Sequence, residues 1–268
     1  MEENIRIVQK HYDQDVKEEW DRLEKHPFEF IVTTRMMNRY IKPGDKILDI
    51  GGGPGRYSIY YTQKGCDVTL VDLSSENVKF ALEKSKELHT GIKAVSADAR
   101  DVDKILDGKY DHIFLMGPMY HLLREKDRIA ALDSALSLLK NGGFLYISFI
   151  LMFSGIIYDM KYMPQLILED SEQTFLNAVL KDKSYAGDAF TKAFFIRQKD
   201  ILPFLARFPL RKKHLFGQES ILSPCEKNIL SQPDEVIDKW TEVAEKLCER
   251  EEYLSYSEHA MYIGQKVR

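Results

Sequence analysis

The amino-acid sequence predicts an α/β fold built on a mostly parallel β-sheet. Between residues 46 and 150, apolar runs of strand length alternate with segments whose apolar residues recur at helical spacing. This alternation is typical of βαβ units, in which helices cover the faces of a parallel sheet. The first apolar run also ends abruptly at a cluster of glycines, as a strand does when it turns sharply into a helix.

Five strands are predicted in this central region, and helices fill the intervals between them. The strands cover residues 46–50, 68–71, 92–97, 112–116 and 144–150. The first helix follows the glycines and ends at Gly65. The second begins at Ser74 or Ser75, because either serine can cap it, and its apolar face is expected to contain Val78, Ala81, Leu82 and Leu88. The helix before the fifth strand stops at Asn141-Gly142.

The N-terminal end departs from this alternation of strands and helices. The whole chain, residues 1–268, is nevertheless predicted to form one domain. Residues 1–41 are expected to form a helical cap of two helices divided at Pro27, with Tyr12, Trp20 or Arg22 near a ligand.

The segment after the fifth strand also departs from the strand–helix rhythm. Residues 151–196 are rich in methionine and aromatic side chains, which predicts a helical lid around an apolar substrate pocket. A helix near 198–207 and a strand near 211–216 follow. Residues 217–258 form a helical insertion before the final strand at 259–266, and its amphipathic helix over 234–254 carries Val236, Trp240, Val243 and Leu247 in register.

Composition limits the classes of partner and location. The 268 residues carry a formal net charge of −4, whereas a nucleic-acid binder usually carries a basic surplus, so no nucleic-acid partner is expected. The longest apolar stretch, residues 144–158, is too short to span a bilayer, which takes about 20 residues. The charged N-terminus is unlike a signal peptide. The three cysteines lack C-x-x-C spacing, so we expect no metal site, no disulfide framework and a cytoplasmic location. The oligomeric state is not indicated.

The glycine cluster predicts a nucleotide-like cofactor and its position. Gly51, Gly53 and Gly55 follow the first strand, and ligands of open α/β sheets lie outside the carboxyl ends of the strands. The spacing is G-x-G-x-G, and Arg56 stands where a dinucleotide fingerprint needs its third glycine. No Gly-Lys-Ser/Thr follows, so a P-loop is excluded as well.

Two aspartates end the next strands. Asp72 lies 21 residues after Gly51, where a carboxylate can accept hydrogen bonds from adjacent ribose hydroxyls. Asp98 ends the third strand, where a carboxylate can accept from an adenine amino group. The alternative for each is a capping or solvated turn acid.

The loop after the fourth strand, Gly117-Pro118-Met119-Tyr120-His121, supplies the candidate catalytic residues. The backbone carbonyls of Met116 and Gly117 can face a ligand ammonium group, and Tyr120 can order the substrate. His121 is the best-placed general base, since its ordinary pKa is about 6.5. The alternative for His121 is a structural histidine at a helix start.

These motifs together resemble the class I S-adenosylmethionine (SAM) dependent methyltransferases, of the bacterial small-molecule type. The resemblance is carried by Asp49 with the glycine turn, Val71-Asp72-Leu73-Ser74, Ala97-Asp98-Ala99-Arg100, the loop after the fourth strand, Asn141-Gly142-Gly143 and the closing residues 259–266. It implies a doubly wound, Rossmann-like sheet of seven strands with the last one antiparallel. Its departure from the family is the long segment between the last two strands, which usually form a close hairpin.

The resemblance also implies where SAM binds. The amino-acid part is expected at the glycine turn, the ribose at the end of the second strand and the adenine at the end of the third. The implied contacts are Asp49, Gly51, Gly52, Gly53, Gly55 and Arg56 for the first part, Asp72 and Leu73 for the second, and Asp98 and Ala99 for the third.

The expected activity is methyl transfer to O, N or S of a small metabolite by in-line displacement, which asks mainly for alignment of the reactants. Some amine methyltransferases carry Asn/Asp-Pro-Pro-Tyr/Phe after the fourth strand, and the acid or amide of that motif is missing at Gly117. This counts against adenine-N6 or glutamine-N transfer, and the absence of Pro-Cys counts against the covalent cytosine route. The alternatives are a SAM-binding regulatory protein without transfer and a nicotinamide-dependent oxidoreductase.

Overall fold

A single nine-stranded sheet runs through the part of the chain that the computed structural model describes, residues 3–268. The first two residues of the predicted N-terminal cap lie outside the described residues. The strands, in chain order, are β1 (Lys46–Ile50), β2 (Asp67–Asp72), β3 (Lys93–Ser96), β4 (Tyr110–Leu115), β5 (Leu139–Leu151), β6 (Tyr185–Asp188), β7 (Lys192–Ile196), β8 (Leu210–Gly217) and β9 (His259–Lys266).

Seven of these strands form the predicted doubly wound sheet. β3, β2, β1, β4 and β5 lie side by side and parallel in that order. β9 pairs antiparallel with β5, and β8 pairs antiparallel with β9. The antiparallel last strand is therefore confirmed. The remaining two strands, β6 and β7, form a hairpin that pairs with the end of β5 at Ile150 and Leu151.

Thirteen α-helices surround the sheet in the described residues. They are α1 (Glu3–Gln14), α2 (Val16–Lys25), α3 (Pro27–Met37), α4 (Arg56–Gln63), α5 (Ser75–Glu87), α6 (Pro118–His121), α7 (Glu125–Leu138), α8 (Met152–Tyr162), α9 (Gln173–Leu180), α10 (Gln198–Leu205), α11 (Glu226–Leu230), α12 (Asp234–Leu247) and α13 (Glu251–Leu254). Short 3₁₀ helices occupy Ala99–Lys104, Pro164–Leu168, Asp170–Glu172 and Ser220–Cys225. None of the described helices has the length and apolar character needed to cross a membrane.

The core explains why β1 and β4 lie in the middle of the sheet. Leu48, Ile50, Ile113 and Leu115 are fully buried on one face, where α7 covers them. On the other face the apolar side chains of α3 and α4 cover Ile47 and its neighbours. Strands covered on both faces read as continuous apolar runs, which is why the sequence indicates them clearly.

Several boundaries differ from the sequence prediction. The N-terminal cap has three helices rather than two. The chain breaks at Asp15, between α1 and α2, as well as before Pro27, where α3 begins. The expected helical segment 151–196 also contains the β6–β7 hairpin, which takes its backbone partners from the extended end of β5. The predicted helix stop at Asn141-Gly142 is wrong, because the helix ends at Leu138 and these residues lie within β5, where the pairing with β4 shifts register between Leu139 and Phe144.

Two predicted apolar faces are also wrong. On α5, Leu82 and Leu88 are exposed although Ala81 is buried. On α12, Val236, Trp240 and Val243 are 37–46% exposed. The buried face of α12 lies one residue further along, at Thr241, Ala244 and Cys248, because small side chains allow close packing on α3 and the 3₁₀ helix Ser220–Cys225. The predicted helix over 234–254 also ends at Leu247 and resumes as α13.

Helix α1 lies across the carboxyl edge of the sheet and is held there by three side-chain hydrogen bonds. Gln9 Nε2 donates to the carbonyl of Leu73 at 3.3 Å, and Ser74 Oγ donates to Asp13 Oδ1 at 2.6 Å. The third bond joins the Tyr12 hydroxyl and Nε2 of His121 at 2.8 Å.

The partners of His121 fix which ring nitrogen carries the proton. Nδ1 lies 3.1 Å from the backbone carbonyl of Lys192 in β7, and a carbonyl can only accept. Nδ1 is therefore the donor, and Nε2 accepts from the Tyr12 hydroxyl. Through this one imidazole, α1, α6 and the β6–β7 hairpin are connected.

Replacing the Tyr12 hydroxyl is expected to weaken the fold. Tyr12→Phe leaves Nε2 of His121 without its donor, which costs about 1–3 kcal/mol of unfolding free energy, measured by urea denaturation. Tyr158→Phe is the control, because the Tyr158 ring is 46% exposed, and its effect should stay within about 0.5 kcal/mol. Equal stability of the two variants would contradict the hydrogen-bond assignment.

Candidate functional site

A cleft of about 780 Å³, counting its open mouth, lies at the carboxyl ends of β1, β2 and β4. Its size falls in the range of small-molecule sites, about 300–1,000 Å³. Nine of the residues singled out from the sequence line it, namely Gly51, Gly53, Asp72, Leu73, Asp98, Ala99, Gly117, Tyr120 and His121. Helix α1 covers one side with Ile5, Val8 and Tyr12.

The glycine turn joins β1 to α4 and forms the floor of the cleft. Gly51 and Gly53 have φ of 75° and 54°, in the left-handed region that glycine adopts without strain. A Cβ at Gly51 would lie 2.4 Å from Cδ of Pro118, so the turn packs directly against the loop after β4. A Cβ at Gly53 would meet no atom within 4 Å. The backbone at Gly53 can therefore be approached closely by a ligand.

Asp72 at the end of β2 ties this turn to the rest of the site. Its Oδ2 accepts from the backbone N–H of Gly53 at 2.8 Å, and its Oδ1 accepts from Ser74 N at 2.9 Å and Asn77 Nδ2 at 3.2 Å. Burial raises the pKa of Asp72, and these hydrogen bonds oppose that shift. A carboxylate has about four acceptor positions, so Oδ2 keeps one for a ligand hydroxyl.

Asp98 lies at the far end of the cleft and is held by an arginine. Arg100 donates to it from Nε at 3.0 Å and from Nη2 at 2.7 Å, in a two-point ion pair. Arg100 also reaches Asp127 at 3.2 Å. The carboxylate is thereby fixed in one orientation. The sequence places both residues in one motif, but their pairing depends on the 3₁₀ helix that begins between them.

Five residues predicted from the sequence do not line the cleft: Asp49, Gly52, Gly55, Arg56 and Met116. Asp49 lies beneath the turn, where its Oδ2 accepts from Ser58 Oγ at 2.7 Å and burial raises its pKa to about 7. A Cβ at Gly52 would lie 2.8 Å from the same oxygen. Asp49 therefore supports the turn from below.

Arg56 begins α4 and turns toward the N-terminal helices. Its guanidinium lies 4.4 Å from the centre of the Phe30 ring, a cation–π contact. The Nη1 atom is buried without a hydrogen-bond partner among the described residues.

His121 is buried enough that its pKa falls to about 4. The ring is neutral at pH 7, and both nitrogens are engaged, one by Lys192 and the other by Tyr12. A base role for His121, as the sequence predicts, requires Tyr12 to move away. Without that movement the ring positions α1 over the cleft. Tyr120, in contrast, faces the cleft next to Glu19.

Beyond Tyr120 lies a cluster of charged side chains that the sequence did not reveal. Glu29 of α3, Glu219 after β8 and His259 at the start of β9 each bring a polar atom within 4.8 Å of the other two. The Tyr120 and His259 rings are 6.1 Å apart. Next to the cluster, Arg22 and Glu19 form a two-point ion pair at 2.7 Å.

The only available signal for this cluster was the long segment between the last two strands. Because β8 runs antiparallel to β9, the end of one and the start of the other meet at the carboxyl edge of β5. Glu219 and His259 are therefore brought to the same edge as the cleft, although 40 residues separate them in the sequence. Glu29 joins them from α3, which nothing in its local sequence indicates.

Comparison with known proteins supports the fold. The family model described as "Methyltransferase domain" matches residues 47–143, which contain the glycine turn, Asp72, Asp98 and the loop after β4. A glycine/sarcosine N-methyltransferase of Parasynechococcus marenigrum is 27% identical over 140 residues, 51% of this chain and 50% of that protein. A ubiquinone biosynthesis O-methyltransferase of Xanthomonas campestris pv. campestris is 32% identical over 110 residues, 41% of this chain and 45% of that protein. The chain thus spans about half the length of these curated relatives.

Solved structures match over nearly the whole chain. The magnesium protoporphyrin IX methyltransferase of Synechocystis PCC 6803, solved with bound S-adenosylhomocysteine, aligns with a TM-score of 0.59 at 16% identity. The alignment covers 98% of this chain and 100% of that one, and at this identity the likeness concerns the fold. Residues 47–143 thus match a methyltransferase domain, and the chain as a whole shares its fold with a methyltransferase solved with S-adenosylhomocysteine.

Proposed function

We propose that this protein transfers the methyl group of SAM to a small metabolite. The observation that carries the proposal is the arrangement of the cleft. The glycine turn, Asp72 and Asp98 lie along one wall at the ends of three successive strands. This is the order in which the amino-acid part, the ribose and the adenine of SAM follow one another.

Three features of the cleft fit an adenosyl ligand. The open space in front of Gly53 admits a ligand close to the backbone. The free acceptor position on Asp72 Oδ2 suits a ribose hydroxyl, and the fixed carboxylate of Asp98 suits an adenine amino group. The backbone carbonyl of Gly117, which lines the cleft, is proposed to receive the ammonium group of the amino-acid part, whereas Met116 and Arg56, although predicted from the sequence, lie outside the cleft.

The protein's own contribution to transfer is alignment and exclusion of water. SAM supplies a methyl group that is already activated on a sulfonium, so no metal or covalent nucleophile is required of the chain. Ile5 and Val8 of α1 close the cleft from above with apolar side chains. Tyr120 stands between the cleft and the charged cluster, where it can align an acceptor with the methyl group.

The acceptor is proposed to be a small molecule. The curated relatives bear the names of glycine/sarcosine and ubiquinone-biosynthesis methyltransferases, whose acceptors are small. The net charge of −4 speaks against a nucleic-acid partner, and a cytoplasmic location remains part of this proposal.

Ligand binding is the first expected outcome. S-adenosylhomocysteine at 100 times its dissociation constant should stabilise the protein by about 2.7 kcal/mol, which a thermal scan detects as a rise in Tm. NAD at the same concentration should leave Tm unchanged. A rise with NAD, or none with the adenosyl compound, would contradict the proposed function.

Removing the Asp72 carboxylate should weaken binding. Asp72→Ala loses a charge-assisted hydrogen bond to the ligand, and a cost of about 1.5–3 kcal/mol raises Kd roughly 10- to 100-fold. Asp133→Ala, on the exposed side of α7, is the control and should bind as the unaltered protein does. Because Asp72 also holds the turn, Kd is measured by calorimetry at a temperature where circular dichroism shows every variant folded. Equal affinities would remove the ribose assignment.

A further inference from the structure

The charged cluster beyond Tyr120 is not used by the proposed cofactor contacts. Glu29, Glu219 and His259 come from three separate elements, and the His259 ring lies 6.1 Å from the ring of Tyr120, which lines the cleft. Polar groups gathered behind a cleft residue in this way can hold the acceptor of the methyl group. Their individual hydrogen bonds show what kind of group they can hold.

Glu219 orients His259 and has little capacity left. Its Oε1 pairs with Nδ1 of His259 at 2.6 Å. Its Oε2 accepts from Ser257 Oγ at 2.6 Å and from the backbone N–H groups of Glu258 and His259, both at 3.0 Å. Four donors fill the acceptor positions of the carboxylate.

His259 therefore offers a hydrogen-bond donor. Burial alone would lower its pKa, but Glu219 and Glu29 outweigh burial and raise it to about 9. At neutral pH the ring carries a proton on each nitrogen. Nδ1–H is used by Glu219, and Nε2–H has no partner among residues 3–268.

Glu29 offers the complementary acceptor. Within the described residues, its side chain accepts one hydrogen bond, from Gln218 Nε2 at a long 3.5 Å. Burial raises its pKa, Glu219 adds to the rise, and His259 and Arg22 oppose it. Nearby, the buried hydroxyl of Tyr57 lies close to the Thr33 side chain but makes no hydrogen bond of normal geometry in the described chain. An unpaired hydroxyl beside a poorly paired carboxylate indicates a place that a polar ligand completes.

The chemistry of this pair selects among acceptors. A metal ion would find the acceptor positions of Glu219 occupied and Nδ1 of His259 engaged, which leaves it Glu29 and Nε2 of His259, fewer ligands than a protein metal site ordinarily supplies. An ammonium group would lie against the imidazolium of His259. A hydroxyl group suits both residues, because it donates to the carboxylate and accepts from Nε2–H.

We propose that Glu29 and His259 bind the hydroxyl group of an alcohol or phenol, and that the protein is an O-methyltransferase in which Glu29 is the general base. This inference rests on the proposed function and adds the acceptor class to it. The oxygen lone pair forms the new C–O bond, and the electron pair of the breaking S–CH₃ bond goes to sulfur. The hydroxyl proton goes to Glu29, and His259 stabilises the negative charge that develops on oxygen.

The test measures formation of S-adenosylhomocysteine from SAM with paired acceptors. Phenol, catechol and benzyl alcohol are compared with aniline, 1,2-diaminobenzene and benzylamine. We expect turnover with a hydroxyl compound and not with its amine counterpart. Glu29→Gln keeps the size of the side chain but cannot take a proton, and it should lower kcat at least about 100-fold. Its Kd for S-adenosylhomocysteine should remain within twofold.

Glu18→Gln, on the exposed side of α2, is the matched control and should keep full kcat. Turnover confined to amines, none with any hydroxyl compound, or an active Glu29→Gln would overturn the O-methylation proposal while adenosyl binding stands. Loss of activity with EDTA and its return with Mg²⁺ would assign the cluster to a metal instead. If the unaltered protein does not bind S-adenosylhomocysteine, the proposed function itself fails.

Discussion

The hydrogen bond between the backbone of Gly53 and the carboxylate of Asp72 is the contact on which the rest of the site depends. It joins the turn after β1 to the end of β2. The same carboxylate accepts hydrogen bonds from Ser74, which caps α5, and from Asn77 in the first turn of that helix. Asp49 supports the turn from below, and Pro118 packs against Gly51 from the side. Three elements therefore meet at this one turn, and their contacts hold the wall of the cleft in place.

Further elements outside the central strands complete the cleft by covering it and by bordering it. Helix α1 covers the cleft through Tyr12, and its partner His121 is in turn fixed by the β6–β7 hairpin. The low pKa of His121 follows from that position, since a ring enclosed by other side chains loses more by being charged than it gains. At the other end, the antiparallel β8–β9 pair brings Glu219 and His259 beside Tyr120. In the proposed function, the ends of the sheet strands contact the cofactor, and these added elements border the acceptor.

The central strands, and the residues at their ends that line the cleft, could be predicted because their sequence signals are local. β1 is a short apolar run, interrupted only by Asp49, that ends at glycines, and Asp72 and Asp98 each stand at or just after the end of a strand. The β6–β7 hairpin could not be predicted, because it depends on β5 continuing past Ile150 to offer a free edge. The predicted buried faces of α5 and α12 were wrong, because the helical spacing of apolar residues does not show how many of them contact the rest of the protein. The cluster of Glu29, Glu219 and His259 could not be predicted either, because its residues are far apart in the sequence.

The most direct test of the account is the affinity of Gly53→Ala for S-adenosylhomocysteine, compared with that of Gly44→Ala. Both glycines have positive φ and open space around the missing Cβ, so both substitutions should cost similar stability, about 1 kcal/mol. Only Gly53 faces the cleft. We expect calorimetry to give at least a tenfold higher Kd for Gly53→Ala and an unchanged Kd for Gly44→Ala. Equal affinities for the two variants would contradict the placement of the ligand against the glycine turn.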